Sequence, residues 1–312
     1  MKMLSYTRLS TAVCVACTTI ILMTLPASPV LPAQLTLTPR ASVSEEYTDN
    51  VFLTEDDKEH DWITGVSVGL TAEMLERTYG FSLAYDPEYV NYARSTQTNT
   101  WRHAANLAAW ADVTRNSRID ITDSLLKTED PIAEDDVAAA RTELPEGTID
   151  PSIRDTRNSY LRNSATARFT NTYAERSSFD LSYTYAILRN EEEARQQGVE
   201  DNDRHLASAG IEHWFSSRWG ADAGFSQEWV DYETSDDESR ILADVGIRHA
   251  FTRNLVGFIR YSHSVVHYEG ETEDDKVYNP SVGIEYDIED DISLLIDVGY
   301  FINDYEFRDD ES

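Results

Sequence analysis

The sequence predicts an all-β chain, a transmembrane up-and-down antiparallel β-barrel with about thirteen strands visible and at least a fourteenth expected in the complete protein. Three observations predict it. Apolar side chains recur at every second position through segments of about ten to fourteen residues. The connections between these segments alternate between short and long. Aromatic residues gather near segment ends.

The alternation is clearest in Ser178 to Asn190, where Phe179, Leu181, Tyr183, Tyr185 and Ile187 oppose Asp180, Ser182 and Thr184. In Tyr160 to Tyr173, Leu161, Ala165, Ala167, Phe169 and Tyr173 oppose Arg162, Ser164, Thr166, Arg168 and Thr170. Asp291 to Asn303 sets Ile292, Leu294, Ile296, Val298, Tyr300 and Ile302 on one face, and Trp219 to Glu228 behaves alike. Successive side chains of a strand point to opposite faces, so each segment has one apolar and one polar side. Strands are expected to begin near Leu35, Asp61, Tyr79, Trp101, Ser117, Thr156, Ser178, Asn202, Trp219, Ser239, Leu255, Val277 and Ile292. Leu255 to Tyr268 alternates poorly and suggests a bulge, and Ala133 to Arg141 reads as a helical exception inside a long connection.

Short connections fall at Glu76-Arg77, Arg115 to Arg118, Glu175-Arg176, Ser216 to Arg218, Thr252 to Asn254 and Glu289 to Asp291. They recur at intervals of roughly 36 to 41 residues, except where the Glu129 to Asp155 insertion lengthens one interval. Longer, acidic connections fall between them. Short turns on one rim and long loops on the other describe a membrane barrel, since a secreted sandwich has shorter strands and two sheets. Tyr47, Phe52, Trp62, Tyr79, Tyr92, Trp101, Tyr173, Phe179, Trp214, Trp219, Trp229, Tyr232, Tyr268, Tyr278 and Tyr305 stand near strand ends, as interfacial aromatic belts require.

Residues 1–33 read differently. Lys2 and Arg8 precede an uncharged, mostly apolar run of about fifteen residues, Thr11 to Leu25, followed by Pro26-Ala27-Ser28 and Pro32-Ala33. This is the pattern of a secretory signal peptide, too short to span a bilayer comfortably. Residues 34–312 then form the barrel. Both cysteines, Cys14 and Cys17, fall in the leader, so the exported chain holds no disulfide and no thiolate site.

The chain carries 57 acidic and 26 basic side chains, a formal charge of −31, which excludes a general nucleic-acid binder. One polar face collects Arg40, Glu73, Arg102, Asp112, Asp120, Arg162, Arg168, Asp180, Asp222, Glu228, Asp244, Arg248, Glu285 and Asp297, with Asp86, Arg118 and Asp287. As pore-lining residues these suit a water-filled interior, and their acidic excess predicts a mild cation preference. The competing reading has the same charges pairing across strands and sealing the interior. A barrel of about fourteen strands leaves room for a channel.

The stretch Glu46-Tyr47-Thr48-Asp49-Asn50-Val51-Phe52, followed by Asp61-Trp62-Ile63-Thr64, resembles the opening of the β-barrel porin family of type 2. Some members are associated with exosortase or exopolysaccharide systems of Gram-negative bacteria. The resemblance implies an outer-membrane barrel and a pore, and it supplies no catalytic residues. The Asp49-Asn50 pair is read as capping a strand end or shaping a loop, with calcium at Asp49 as the alternative.

The expected function is passive diffusion of small hydrophilic solutes or ions across the outer membrane. The alternative is a non-conducting structural or accessory barrel of an exopolysaccharide export system. A barrel hydrolase is a third reading, for which Ser262, His263 and His267, near Glu269, are the candidates. No Walker loop, dinucleotide fingerprint or zinc pattern appears, so neither enzyme activity nor a cofactor or metal is expected. The expected partners are outer-membrane lipid, the barrel-assembly machinery and, in the alternative reading, polysaccharide export components. A last expectation concerns the C-terminus. Thirteen strands would put the chain ends on opposite rims, which suggests a sequence lacking a closing strand.

Overall fold

The computed structural model describes residues 35–52, 57–129, 159–190, 200–269, 274–289 and 292–306. The leader, the expected helix at Ala133 to Arg141 and most of the Glu129 to Asp155 insertion lie outside these residues.

Fourteen antiparallel strands form one sheet in up-and-down order. They are β1 (Leu35–Thr48), β2 (Asp61–Leu75), β3 (Tyr79–Tyr92), β4 (Thr100–Asp112), β5 (Ser117–Thr128), β6 (Tyr160–Ala174) and β7 (Ser177–Asn190). There follow β8 (Asn202–Trp214), β9 (Trp219–Tyr232), β10 (Glu238–Ala250), β11 (Leu255–Tyr268), β12 (Asp274–Glu289), β13 (Ile292–Gly299) and β14 (Ile302–Glu306). From β1 to β13 each strand pairs with its sequence neighbours, so these strands succeed one another as hairpins, while β14 pairs with β12.

β13 and β14 are two parts of one line. Both pair with β12, Ser281 opposite Gly299 and Tyr278 opposite Ile302, and the register is unbroken between them. The interruption falls opposite Pro280. Its carbonyl accepts the Tyr300 N–H at 3.1 Å, but proline has no N–H to return. A second ladder gap has the same cause: pairing of β2 with β3 stops between Ser67–Glu88 and Leu70–Tyr85, around Pro87.

The strands are staggered. Following cross-strand partners, Thr36 lines up through Glu73, Ser82, Ala108, Thr122, Thr166, Thr184, Leu206, Glu228, Arg240 and Val266 with Asp275. Thr36 lies near the short-turn end of β1, and Asp275 lies at the long-loop end of β12. The sheet therefore shears by about one residue per strand, which tilts the strands by roughly 35° and is the geometry of a barrel wall. Among the described residues no backbone pairing joins β1 to β13 or β14, which form the two margins.

The outer face is apolar and exposed, with Leu37, Val66, Leu83, Leu181, Ile211, Phe225, Val245, Ile259 and Ile296 all open. So continuous an exposed apolar surface is expected of a wall facing lipid rather than water. The small hydrophobic core instead sits at the long-loop rim, where Val51, Ile63, Val90 and Tyr92 are buried together with Phe52 against them. Val51 thus belongs to a loop folded onto the strand ends, and its N–H donates to Glu59 O at 2.7 Å.

Two expectations are corrected. β11 runs in register against both neighbours without a bulge; the irregularities fall at Thr172/Ala174 in β6 and Asp287/Glu289 in β12. Its poor alternation arises because Val256, Phe258 and Val266 face inward and His263 and His267 outward. The aromatic residues near strand ends also divide between the faces. Tyr92, Trp214, Tyr232 and Tyr268 share the inner face, whereas Trp62, Trp101, Tyr173, Phe179, Trp219, Trp229 and Tyr278 stand outside.

Candidate functional site

The inner face is the candidate site, because register fixes which side chains it receives. Arg40, Glu73, Arg102, Asp112, Asp120, Arg162, Arg168, Asp180, Asp222, Glu228, Asp244, Arg248, Glu285 and Asp297 all fall on it. So do Arg204, Arg240, Arg260, Glu88, Glu212 and Glu238, which sequence reading did not single out although they carry the same parity.

Many of these charges meet across strands. Arg40 reaches both oxygens of Asp86 at 2.9 and 2.7 Å. Arg248 donates to Asp222 at 2.8 Å, and Arg204 pairs with Glu228 at 3.0 Å. Arg118 pairs with Asp120 at 2.8 Å and also stands 4.3 Å above the Trp110 ring. At the short-turn rim Arg176 stacks 3.4 Å over Trp214, whose indole N–H donates to Glu212 at 2.7 Å.

The densest cluster lies at the long-loop rim. Glu129 follows β5 and is buried; its Oε1 accepts the Tyr92 hydroxyl at 2.9 Å and the Arg102 guanidinium at 2.7 and 3.0 Å. Arg102 also lies 3.4 Å from Glu88. Glu129 was legible only as the start of an insertion; its burial depends on strands β3 and β4 far away in sequence.

Between the charged tiers the face is small and uncharged. Ser82, Ala84, Asn106, Ala108, Thr122, Ser124, Ser164 and Thr166 line most of a concavity of about 450 Å³. Asn106, Ala108, Thr122 and Ser124 are exposed although they face inward, so side chains do not fill this part of the interior.

Carboxylates at the long-loop rim fasten loops. Asp61, fully buried, accepts the N–H of Trp62 at 2.8 Å, Arg94 at 3.0 Å and Ser95 at 2.9 Å. Asp201 accepts the Asn190 N–H at 2.7 Å, and Asp237 that of Tyr232 at 2.9 Å. Glu200 receives the N–H groups of Thr234 and Ser235 at 2.8 and 3.0 Å and the Thr234 hydroxyl. Partial burial pushes the Glu200 carboxyl up, but the Ser235 and Thr234 hydrogen bonds outweigh it and hold it below the usual carboxylate range.

The first-strand motif is explained in the same terms. The Thr48 hydroxyl accepts the Asn50 N–H at 3.2 Å, Val51 fills the rim core, and Asp61 ties the β3–β4 connection. Among the described residues no group of three His, Cys, Asp or Glu side chains could hold a metal, and Asp49 belongs to none.

The Ser262–His263 pairing is not formed. Ser262 faces inward opposite Asp244, while His263 faces outward, stacked on Tyr278 with ring centroids 4.6 Å apart. His267 pairs with Asp274 at 2.8 Å, also on the outer face. Three further outer-face histidines accept tyrosine hydroxyls or share their protons: His103 with Tyr85 at 2.8 Å, His205 with Tyr183 at 2.7 Å and His213 with Tyr173 at 3.1 Å.

The chain is similar to solved outer-membrane channels. One is an outer membrane channel from Pseudomonas putida F1, 10% identical over 88% of this chain and 97% of that one, with a TM-score of 0.35. A Pseudomonas aeruginosa FadL homologue is 13% identical over 88% and 82%, at 0.38, and the P. putida toluene transporter TodX 10% over 85% and 82%, at 0.34. No curated protein sequence matches the chain. The family described as putative beta-barrel porin 2 matches residues 239–311, from β10 onward, so the family likeness read in the first strand is met again in the last ones.

Proposed function

We propose that the chain is an outer-membrane pore for passive diffusion of small hydrophilic solutes or ions, with a mild preference for cations. The observation that carries this reading is the exposed strip Asn106, Ala108, Thr122 and Ser124 on the inner face. Small, uncharged residues that remain solvent-accessible leave a passage, whereas a sealed wall would fill the same positions with long paired side chains. Charged tiers on either side, with more acids than arginines, favour cations at the mouths.

The acidic loops, exposed apolar outer face and hairpin topology support placement in an outer membrane after export by the leader. Folding there implies contact with outer-membrane lipid and the barrel-assembly machinery. The non-conducting reading draws on one specific observation, the Arg102–Glu129–Tyr92 cluster at the root of the long insertion, which would narrow the long-loop mouth. Polysaccharide export components are the partners that this second reading would require.

Liposome swelling separates the two. Vesicles holding the folded full-length chain should swell in isosmotic solutions of small neutral sugars and salts. Vesicles with verified insertion that swell no faster than empty ones would refute the pore.

A further inference from the structure

The short-turn rim sets exposed arginines beneath exposed rings. The turns joining β2–β3, β4–β5, β6–β7, β8–β9 and β10–β11 carry Arg77, Arg115, Arg176, Arg218 and Arg253, all of them exposed. Glu76 and Glu175 stand beside Arg77 and Arg176, and Arg176 already stacks over Trp214. Phe215-Ser216-Ser217-Arg218 and Phe251-Thr252-Arg253-Asn254 hold no carboxylate, in a chain that carries 57.

These last two turns are fixed side by side. The Arg218 carbonyl accepts the Ala250 N–H at 2.8 Å, so the turn tips lie two strand spacings apart, roughly 10 Å. The Ser216 hydroxyl accepts the N–H groups of Arg218 and Trp219 at 3.3 and 2.9 Å. Asn254 donates Nδ2 to the Asp287 carbonyl at 3.1 Å, while the Asp287 side chain falls on the inner face opposite Ser293. The main chain at both tips is thus held. Among the described residues neither the Arg218 nor the Arg253 guanidinium has an ion-pair or hydrogen-bond partner.

Directly above them on the outer face Phe215, Trp219 and Phe251 are exposed. His249 is held between Trp219 and Phe251, with ring centroids 4.2 and 4.8 Å away. Rings at the end of an apolar wall sit at the boundary between acyl chains and headgroups, and arginines just beyond them reach headgroup depth. A guanidinium fork fits two oxygens of a phosphate. The long-loop rim is opposite in kind: its outer face carries the carboxylates Glu45, Asp203, Asp231 and Asp274.

We propose that the β8–β9 and β10–β11 turns form a binding site for an anionic phospholipid of the leaflet at the short-turn rim. Arg218 and Arg253 take its phosphate, and Phe215, Trp219 and Phe251 take the glycerol and upper acyl chains. A zwitterionic headgroup is disfavoured because its cation would face the two guanidiniums. The site rests on the membrane placement proposed above and is independent of whether the interior conducts.

The test is native mass spectrometry of the folded full-length chain, released from detergent micelles holding equal amounts of phosphatidylglycerol and phosphatidylcholine. The wild type should carry phosphatidylglycerol in about ten-fold excess. Arg218→Gln with Arg253→Gln should bring the two lipids near parity, while Arg94→Gln at the long-loop rim leaves the excess in place. Parity in the wild type, an excess that survives the double substitution, or an equal loss with Arg94→Gln would each overturn the site. Displacement of the lipid by equimolar free glycerol phosphate would overturn it too, assigning the arginines to a soluble phosphate. The wild-type ratio needs no substitution, so a variant that fails to fold leaves the proposal falsifiable. Heat-modifiability on gels separates the two readings. A chain with no folded, heat-modifiable form refutes the membrane barrel and the site together, whereas a folded chain without lipid preference refutes the site alone.

Discussion

The Asp222 carboxylate lies across Gly246 on the neighbouring strand, where an added Cβ would stand 2.5 Å from its Oδ2, while Arg248 holds the other oxygen at 2.8 Å. The relation recurs: Asp180 lies over Gly210, with a Cβ there 2.7 Å from Oδ1, and Asp244 and Asp86 lie over Gly224 and Gly69. Glycine lets each inward carboxylate fold down along the wall instead of projecting from it.

Gly246→Ala is therefore expected to push the carboxylate off the sheet and strain the Arg248 bond, at a cost of about 1–2 kcal/mol. In an Asp222→Ala background the same substitution should cost much less. A double-mutant cycle on the denaturant midpoint of the folded barrel measures the coupling; additive effects would refute the arrangement.

Asp61 carries the long-loop rim of β2 and β3. Asp61→Ala removes the acceptor for Arg94 and Ser95 and should cost about 2–3 kcal/mol locally. The β3–β4 connection then opens, and trypsin should cut after Arg94 faster than in the wild type at equal protease.

Arg102→Leu leaves Glu129 buried without its cation. Both side chains are mostly buried, at 18% and 9% exposure, so the loss should be large, about 3 kcal/mol. The midpoint of heat-modifiability on gels reads it, and restoring Glu129→Leu in the same chain should recover most of the loss.

Glu200 links the β9–β10 loop to pH. Its folded carboxyl titrates below the usual range, so its contribution is present above the ordinary glutamate pKa, about 4.3, and is lost as pH falls through the depressed folded value. Hydrogen exchange at Thr234 and Ser235 should be slower in wild type than in Glu200→Gln near neutral pH. The two should converge in acid.

Period-two alternation made the faces legible: the fourteen inner-face residues follow from parity within each strand, and a strand's side-chain period leaves little freedom once one face must meet lipid. What alternation does not hold is distance between strands. Glu129 meets Tyr92 and Arg102 across 37 and 27 residues of sequence, and the stagger that brings Asp222 beside Arg248 is a property of the ladder. The aromatic belts were only half legible for a related reason. A tyrosine at a strand end, such as Tyr92, packs inward when a loop residue such as Val51 gives it a core. The family likeness shows the same division. Its opening motif reads as a loop fastened by Asp61, while the matching stretch at residues 239–311 includes strands β11 to β14 of the barrel wall.

The measurement that tests the central claim most directly is single-channel recording of the folded full-length chain in a planar bilayer under a salt gradient. An acidic-lined open interior predicts discrete conductance steps with a reversal potential shifted toward the cation equilibrium value. A chain shown to be folded and inserted that passes no current, or passes it with anion preference, would contradict it.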